Sequence, residues 1–389
     1  MLNWKSFFKI ADPKGRGSAQ AWVERGRMTS ASSAYGPLAE EGYEKNVIVY
    51  RCINLIAKNL AMPPWILYRR DQEVENHPLK NVIERPNPFQ TRTAFLEALA
   101  SYLLMNGNAY IQAVGQEGRV DELFLLRPDR VQIRAGEGMM PRGYVYQVEG
   151  KNFYYPVDPE TGASSILHLK LFNPRNDWYG LSPIQAAAAA IDQHNAVGTH
   201  NLSLLQNGGR PTGALVMPSQ QRLTEAQRDQ LQNTVQSLYQ GAENGGQVLI
   251  LEGGMEWREM GLSPKDLDFI SGKHISTREI AQAFGVPSML VGVPGDSTFS
   301  NYREARFHLW EDTVLPLLHM VMEEMNRWVV APYGRGLAFS YDADQIPALG
   351  CRREKLWSRI QEATFLTLNE KRAALGYSPL KEGDHLEAR

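Results

Sequence analysis

Cysteine is scarce in this sequence, and long apolar runs are missing. Cys52 and Cys351 are the two cysteines of the 389 residues, and they lie far apart, which argues against a disulfide framework or a zinc knuckle. No apolar stretch approaches the ~20 residues of a membrane span. The amino terminus lacks the apolar core of a secretory signal. The sequence therefore predicts a soluble protein that is made in the cytoplasm.

The sequence also has no excess of one charge. Its 41 lysines and arginines against 43 acidic residues give a net charge of −2, so the composition does not indicate a protein that grips nucleic acid or an anionic membrane. The apolar fraction of 43% is enough for a sizeable core. At about 150 residues per domain, the length suggests two or three domains.

Catalytic motifs are missing as well. The loop at 292–301 runs into a helix and could in principle cradle a phosphate with its backbone N–H groups. A P-loop, however, needs a lysine directly before its serine or threonine, and here Asp296 precedes Ser297. His308 and Asp312 lie one helical turn apart, a spacing more typical of a surface contact than of half a metal site. We expect no catalytic residue, no metal and no cofactor.

The first half of the chain has an α+β pattern. Residues 12–34 are small, polar and basic, and together with the short amphipathic amino terminus they indicate a flexible arm at 1–34. Apolar spacing predicts a helix over 47–61 that ends before two prolines, and a second helix over 93–108 that ends at Gly107. Strands are predicted in PWILYRR, AYIQAVG, DELFLLRP, RVQIRA, YVYQVEG and ILHLKLF.

After Gly180 the pattern becomes mainly helical. Pro183 opens a helix whose run of five alanines needs a close helical partner, in the same chain or in another. A small insert with strands in GALVM, QVLILE and EWREM follows, and then a helix over 263–285. The helix predicted over 301–330 contains Pro316, which predicts a kink near Thr313. A strand in GLAFSYDAD and two short helices finish the chain, the last of them capped by Asn369.

This order of elements resembles the portal proteins of tailed bacteriophages, specifically the HK97-like portal family. The resemblance runs from about residue 35 to residue 380. It rests on the segments VYRCINLIAKNLAMPPWILYRR, HPLKNVIERPNP, YGLSPIQAAAAAI, LQNGGRPTGALVMP, IAQAFGVPSMLVG, SNYREARFHLWEDTVLPLL and LTLNEKRAALGYSPL.

The resemblance implies an α+β portal fold that assembles as a ring, usually a dodecamer. Its parts would be an α+β wing, a two-helix stem, a small αβ clip, a long proline-kinked helix and a helical C-terminal crown. The implied segments are a flexible arm at 1–34, the wing at 35–180, stem helix 1 at 181–210, the clip at 211–262, stem helix 2 at 263–286, the tunnel loop at 287–300, the kinked helix with the wing return strand at 301–350, and the crown at 351–389.

The resemblance also implies which residues meet the cargo and the neighbouring subunits. The implied DNA-channel residues of the tunnel loop are Gly295, Asp296, Ser297, Thr298 and Phe299. The implied stem and subunit-interface residues are Ala187, Ala188, Ile191, Lys273 and Arg278, and the implied helix kink is at Pro316. None of the loop residues is cationic, and a channel wall with few cations favours sliding because each neutralised phosphate adds affinity.

The implied function is a portal ring at one capsid vertex of a virion, the conduit for packaging and ejection of double-stranded DNA. The implied partners are other copies of the chain in a 12-mer ring, DNA passing non-specifically, the terminase large subunit, the major capsid protein and a head–tail adaptor, with no membrane. Assembly would take place in the bacterial host cytoplasm, and a separate motor would hydrolyse ATP. The alternatives are a nucleotide- or phosphate-dependent enzyme that uses the 292–301 loop, and a different ring connector of the virion.

Overall fold

A computed structural model of the chain describes most residues between Tyr35 and Asp384. The described residues are 35–70, 72–116, 119–136, 140–206, 213–216, 224, 226–227, 229, 256–259, 269–293, 299–375, 377–381 and 383–384. The predicted arm at 1–34 lies outside them, as does most of the predicted clip.

The described helices and strands alternate before Pro183 and become mainly helical after it. Before Pro183 they are α1 (Tyr35–Pro37), α2 (Val47–Ala61), β1 (Trp65–Arg69), β2 (Gln72–Glu73), α3 (Pro78–Glu84), α4 (Arg92–Asn106), β3 (Asn108–Val114), β4 (Glu122–Leu126), β5 (Val131–Ala135), β6 (Pro141–Val148), β7 (Lys151–Pro156) and β8 (Ile166–Lys170). From Pro183 on they are α5 (Pro183–Ala186), α6 (Ala188–Gln206), β9 (Gly213–Val216), β10 (Glu256–Glu259), α7 (Phe269–Ala283), α8 (Phe299–His308), α9 (Leu315–Met325), β11 (Leu337–Tyr341), α10 (Gly350–Glu362) and α11 (Leu368–Ala374).

The two predicted helices of the first half are confirmed. α2 covers the predicted residues, and α4 ends at Gly107. Gly107 has a φ of 77° and donates its N–H to Leu103 O, the usual glycine end of a helix. A Cβ there would also lie 2.7 Å from the backbone of Gly180, so the position requires glycine for two reasons. Thr91 caps the other end of α4 by accepting from Ala94 N–H at 3.4 Å.

The described strands form antiparallel sheets in the orders β11-β1-β2, β4-β3-β8, β5-β6-β7 and β10-β9. In the first sheet, β11 returns to pair with β1, and Leu67 lies opposite Phe339. One core cluster is shared by strands of the second and third sheets and consists of Tyr110, Leu126, Val131, Tyr144, Val157 and Ile166. Each predicted strand before Gly180 is present, whereas β2, β7 and the short helix α3 were not predicted.

Contacts divide the described chain into two compact units. The described residues of Arg51–Pro183 and Phe284–Arg389 form one unit, which contains the sheets of the first half, the long helical segment and the C-terminal helices. The described residues of Trp22–Tyr50 and Ile184–Ala283 form the other, which contains α6, α7 and the β9–β10 pair.

The cap predicted for the last helix is wrong by two residues. Thr367 caps α11: its side chain accepts from Glu370 N–H, and the Glu370 carboxylate accepts from Thr367 N–H, a complete capping box. Asn369 instead fastens the C-terminal segment. Its amide donates to Leu380 O and to the Asp384 carboxylate, and its Oδ1 accepts from Leu380 N–H at 2.8 Å.

Candidate functional site

The two helices predicted to pair as a stem, α6 and α7, are in contact. The alanine-rich helix breaks at Ala187 into α5 and α6, although Ile191 N–H donates to Ala187 O across the break at 2.9 Å. Ala187, Ala188 and Ile191 are all buried within the single chain. Other residues of the same chain therefore already cover these three side chains. A role of these three residues in contacts between subunits stays a prediction.

The two cations predicted at the subunit interface are, in contrast, exposed to solvent in the single chain. Lys273 and Arg278 are exposed on α7, and Ile275 between them is 51% exposed. Among residues 271–283, the part of α7 whose side chains are described, the buried residues are Ser276, Thr277, Ile280 and Ala281. The part of α7 that stays accessible in one chain therefore includes both cations and a large apolar side chain.

A buried polar cluster joins the segment before α2 to α6. Asn46 Oδ1 accepts from two N–H groups of the first turn of α2, at 3.0 and 3.1 Å. Asn46 Nδ2 donates to Asn195 Oδ1 at 2.9 Å and lies 3.2 Å from His194 Nδ1, while Asn195 Nδ2 donates to Glu41 O. Burial, with a smaller effect of the Lys273 charge, lowers the pKa of His194, which favours the neutral imidazole that can accept from an amide.

Sequence reasoning missed this cluster. Its members are 148 residues apart along the chain, so no local spacing reveals it. The available signal is an asparagine directly before an apolar helix, which is a typical N-cap. That signal identifies the cap function of Asn46 but not its partners on α6.

A hydrogen bond links the segment that enters the predicted tunnel loop to the long helical segment that follows the loop. Gly285 follows α7 with a φ of +67°, and Thr313 Oγ1 donates to its carbonyl at 2.6 Å. A Cβ on Gly285 would lie 2.5 Å from that same hydroxyl, so glycine is needed both for the backbone conformation and for the close approach. Leu290 and Val293 are buried beyond this contact. The contact thus fixes the segment before the loop against the helical segment after it.

Most of the predicted channel residues cannot be placed by the structure. Gly295, Asp296, Ser297 and Thr298 lie outside the described residues, and Phe299 is the first residue of α8. Arg303 and Arg306 are exposed on α8. The predicted loop contains no cationic side chain, and the first ones after it therefore lie in α8, at Arg303 and Arg306.

The long helical segment changes its hydrogen-bonding pattern next to Pro316. α8 is followed by a π-helical segment, Leu309–Val314, and Pro316 then lies in the first turn of α9. Proline has no N–H to bond the preceding turn, and π segments within helices are common where the regular pattern is disturbed. The kink predicted near Thr313 stays a prediction, but the irregularity lies where the proline requires it.

The described residues offer little for catalysis. No group of histidine, cysteine, aspartate and glutamate in them could hold a metal ion. His308 Nδ1 and Asp312 Oδ2 meet at 3.2 Å as an exposed pair on one helix surface. Burial raises the pKa of the Cys52 thiol to about 12, which keeps it protonated and unreactive. None of the helices described is long and apolar enough to cross a bilayer.

Comparisons with known proteins agree with the predicted family. The family model described as phage portal protein matches residues 47–376. The chain is 39% identical over 386 residues to an uncharacterized protein of Rickettsia bellii (strain RML369-C), covering 98% of this chain and 99% of that protein. It is 24% identical to the portal protein of Enterobacteria phage HK97, covering 94% of this chain and 89% of the phage protein.

Solved structures show the same similarity in three dimensions. A chain from the neck of an empty gene transfer agent particle, computed with C6 symmetry, is 39% identical to this chain. The two structures match with a TM-score of 0.72, over 91% of this chain and 96% of that one. A chain from the neck of the native particle, computed with C12 symmetry, is 39% identical with a TM-score of 0.69, over 89% and 94%.

Proposed function

This chain belongs to the phage portal protein family, and we propose that it forms the ring at one capsid vertex through which double-stranded DNA is packaged and ejected. The family resemblance and the α+β portal fold predicted from the sequence are confirmed. The observation that carries the proposal is the extent of the similarity. A chain from the neck of the gene transfer agent particle is 39% identical to this one, and the match covers 91% of this chain and 96% of that chain.

We assign the segments to the parts of a portal as follows. Residues 35–180 with the return strand β11 form the wing, and the pairing of β11 with β1 supports this. The contact between α6 and α7 supports a stem made of these two helices. The antiparallel pair β9–β10 supports a clip at 211–262. Residues 287–300 form the tunnel loop and 351–389 the crown.

The ring contains twelve subunits, and its partners follow from its position. The C12 symmetry of the similar neck supports the number of subunits. At the vertex the ring contacts the major capsid protein, the terminase large subunit docks on it during packaging, and a head–tail adaptor binds it afterwards. DNA passes without sequence-specific contacts. The ring assembles in the cytoplasm of the bacterial host and carries no ATPase activity, which belongs to the motor.

The native mass of the purified protein, with negative-stain images of the same sample, tests the proposal first. We expect a particle near twelve protomers with a central hole. The enzyme alternative would be supported instead if the protein stayed monomeric at all concentrations and hydrolysed ATP, and if mutation of the 292–301 loop abolished that activity.

The axial position of the loop is tested by adding positive charge to it. Asp296→Lys combined with Ser297→Lys should leave the ring intact but slow DNA packaging, because each subunit then gains phosphate contacts, and higher salt should relieve the defect. Glu75→Lys combined with Asn76→Lys is the matched control, since it makes the same charge change at two exposed wing residues. Equal packaging rates for the two double variants would refute the placement of the loop on the channel axis.

A further inference from the structure

A small cavity lies inside the unit formed by Arg51–Pro183 and Phe284–Arg389. It lies between β1, the end of α3, α4, β4 and α9, and most of its wall is leucine, isoleucine, phenylalanine and methionine. It has room for roughly one water molecule. A cavity with a purely apolar wall stays dry, so the polar atoms in the wall decide its occupancy.

Two residues of the wall each carry a buried N–H group without an acceptor in the described part of the chain. Trp65 Nε1 and Arg92 Nε are buried, and neither meets a hydrogen-bond acceptor among the residues that the structure describes. Trp65 is only 2% exposed, so its indole N–H does not reach bulk water. Buried polar groups that find no protein partner are normally satisfied by ordered water.

The surroundings of Arg92 indicate where the acceptor lies. The Nη1 atom of Arg92 donates to Pro63 O at 2.6 Å, which fixes one side of the guanidinium. Its Nε lies 3.8 Å from Glu84 Oε1. That separation is too long for a direct hydrogen bond, so the Glu84 carboxylate does not satisfy the Arg92 Nε N–H.

We propose that this cavity binds one internal water molecule, which accepts hydrogen bonds from Trp65 Nε1 and Arg92 Nε. Water matches the site because its oxygen can accept from both N–H groups. A halide ion could accept from the same two groups, so the experiment has to distinguish water from an anion. The water joins β1 and α4 through hydrogen bonds at a point where the apolar wall of the cavity also includes Met325 of α9.

A double-mutant cycle tests the bridge in the whole protein. Trp65→Phe removes one donor and keeps an apolar ring, and Arg92→Leu removes the other donor. Because a shared water couples the two sites, we expect their effects on the unfolding equilibrium constant to deviate from additivity by about twofold or more. Trp65→Phe combined with Glu97→Ala is the control, since Glu97 is on α4 but does not line the cavity. Additive effects in the test pair would refute the bridge.

A density map of the assembly that resolves ordered water provides the direct test. We expect one peak within hydrogen-bond distance of both Trp65 Nε1 and Arg92 Nε. An empty cavity in that map would overturn the proposal. Crystals grown with bromide distinguish the ions: an anomalous peak at this position would identify a halide and refute the assignment to water.

Discussion

His168 provides a quantitative test of the core around Tyr110 and Tyr144 through the pH dependence of stability. Its ring stacks on Tyr110 with centroids 4.4 Å apart and meets the edge of Tyr144, and its Nε2 donates to Asn108 Oδ1 at 3.0 Å. An edge of the side chain remains accessible. Burial, with a smaller contribution from the Lys170 charge, lowers the pKa of His168 to about 3.

The sign of the effect follows from this lowered pKa. The ordinary pKa of the unfolded imidazole is 6.5, so between these two values the unfolded chain binds more protons than the folded chain. Stability therefore falls as the pH falls through this range. From the two pKa values, the His168 contribution lost between pH 8 and pH 5 is up to about 2 kcal/mol, with the accessible edge reducing it.

The assay is denaturant unfolding of the wild type and of His168→Phe at pH 5 and at pH 8. Phenylalanine keeps a ring that can stack but cannot titrate, so the variant should lose up to about 2 kcal/mol of the pH dependence. Burial also lowers the pKa of His77 and of His194, but both contribute equally in the two proteins. His200→Gln, at an exposed imidazole, is the control. An unchanged pH dependence in His168→Phe would refute the burial argument.

Four further substitutions test other parts of the fold. Gly285→Ala should raise the free energy of the folded state by about 2 kcal/mol, because Gly285 has a left-handed φ and a close contact with Thr313. Gly272→Ala lies in a helix with open space around it and should be neutral or stabilising in the same thermal unfolding assay. Equal effects of the two substitutions would contradict the contact between Gly285 and Thr313. Ala188→Leu puts a larger side chain at a buried position, which should destabilise the folded subunit by about 1–3 kcal/mol and thereby weaken the ring. Lys273→Glu should change the native mass of the assembly without changing the free energy of unfolding of the subunit. An unchanged ring would show that Lys273 does not lie in the interface. Asn369→Ala removes three side-chain hydrogen bonds to the C-terminal segment, which should be cleaved faster by proteases than in the wild type.

Elements with a complete local signal were predictable from the sequence. α2 has helical apolar spacing up to two prolines, and α4 ends at Gly107, whose left-handed conformation suits glycine. Elements with a weak local signal were missed. α3 is only seven residues long, and its N-cap is His77, a residue that is not among the preferred caps.

The error at the last helix shows that a local signal can also be misassigned. Thr367 and Glu370 have the spacing of a capping box, and they form one. Asn369 lies between them and is equally a preferred cap residue, so the sequence offers two competing starts for α11. The choice is decided by a contact at longer range, because the Asn369 amide is needed to bind the C-terminal segment.

The alanine run shows the same limit for the candidate site. Small side chains indicate that another helix approaches closely, but the sequence does not say whether that helix belongs to the same subunit. Ala187, Ala188 and Ile191 are buried before any ring forms, so they can add little newly buried area when subunits meet. Lys273 and Ile275 on α7 are exposed and can. We therefore expect the free energy of ring formation to depend more on the accessible surface of α7 than on the alanines whose burial holds each subunit together.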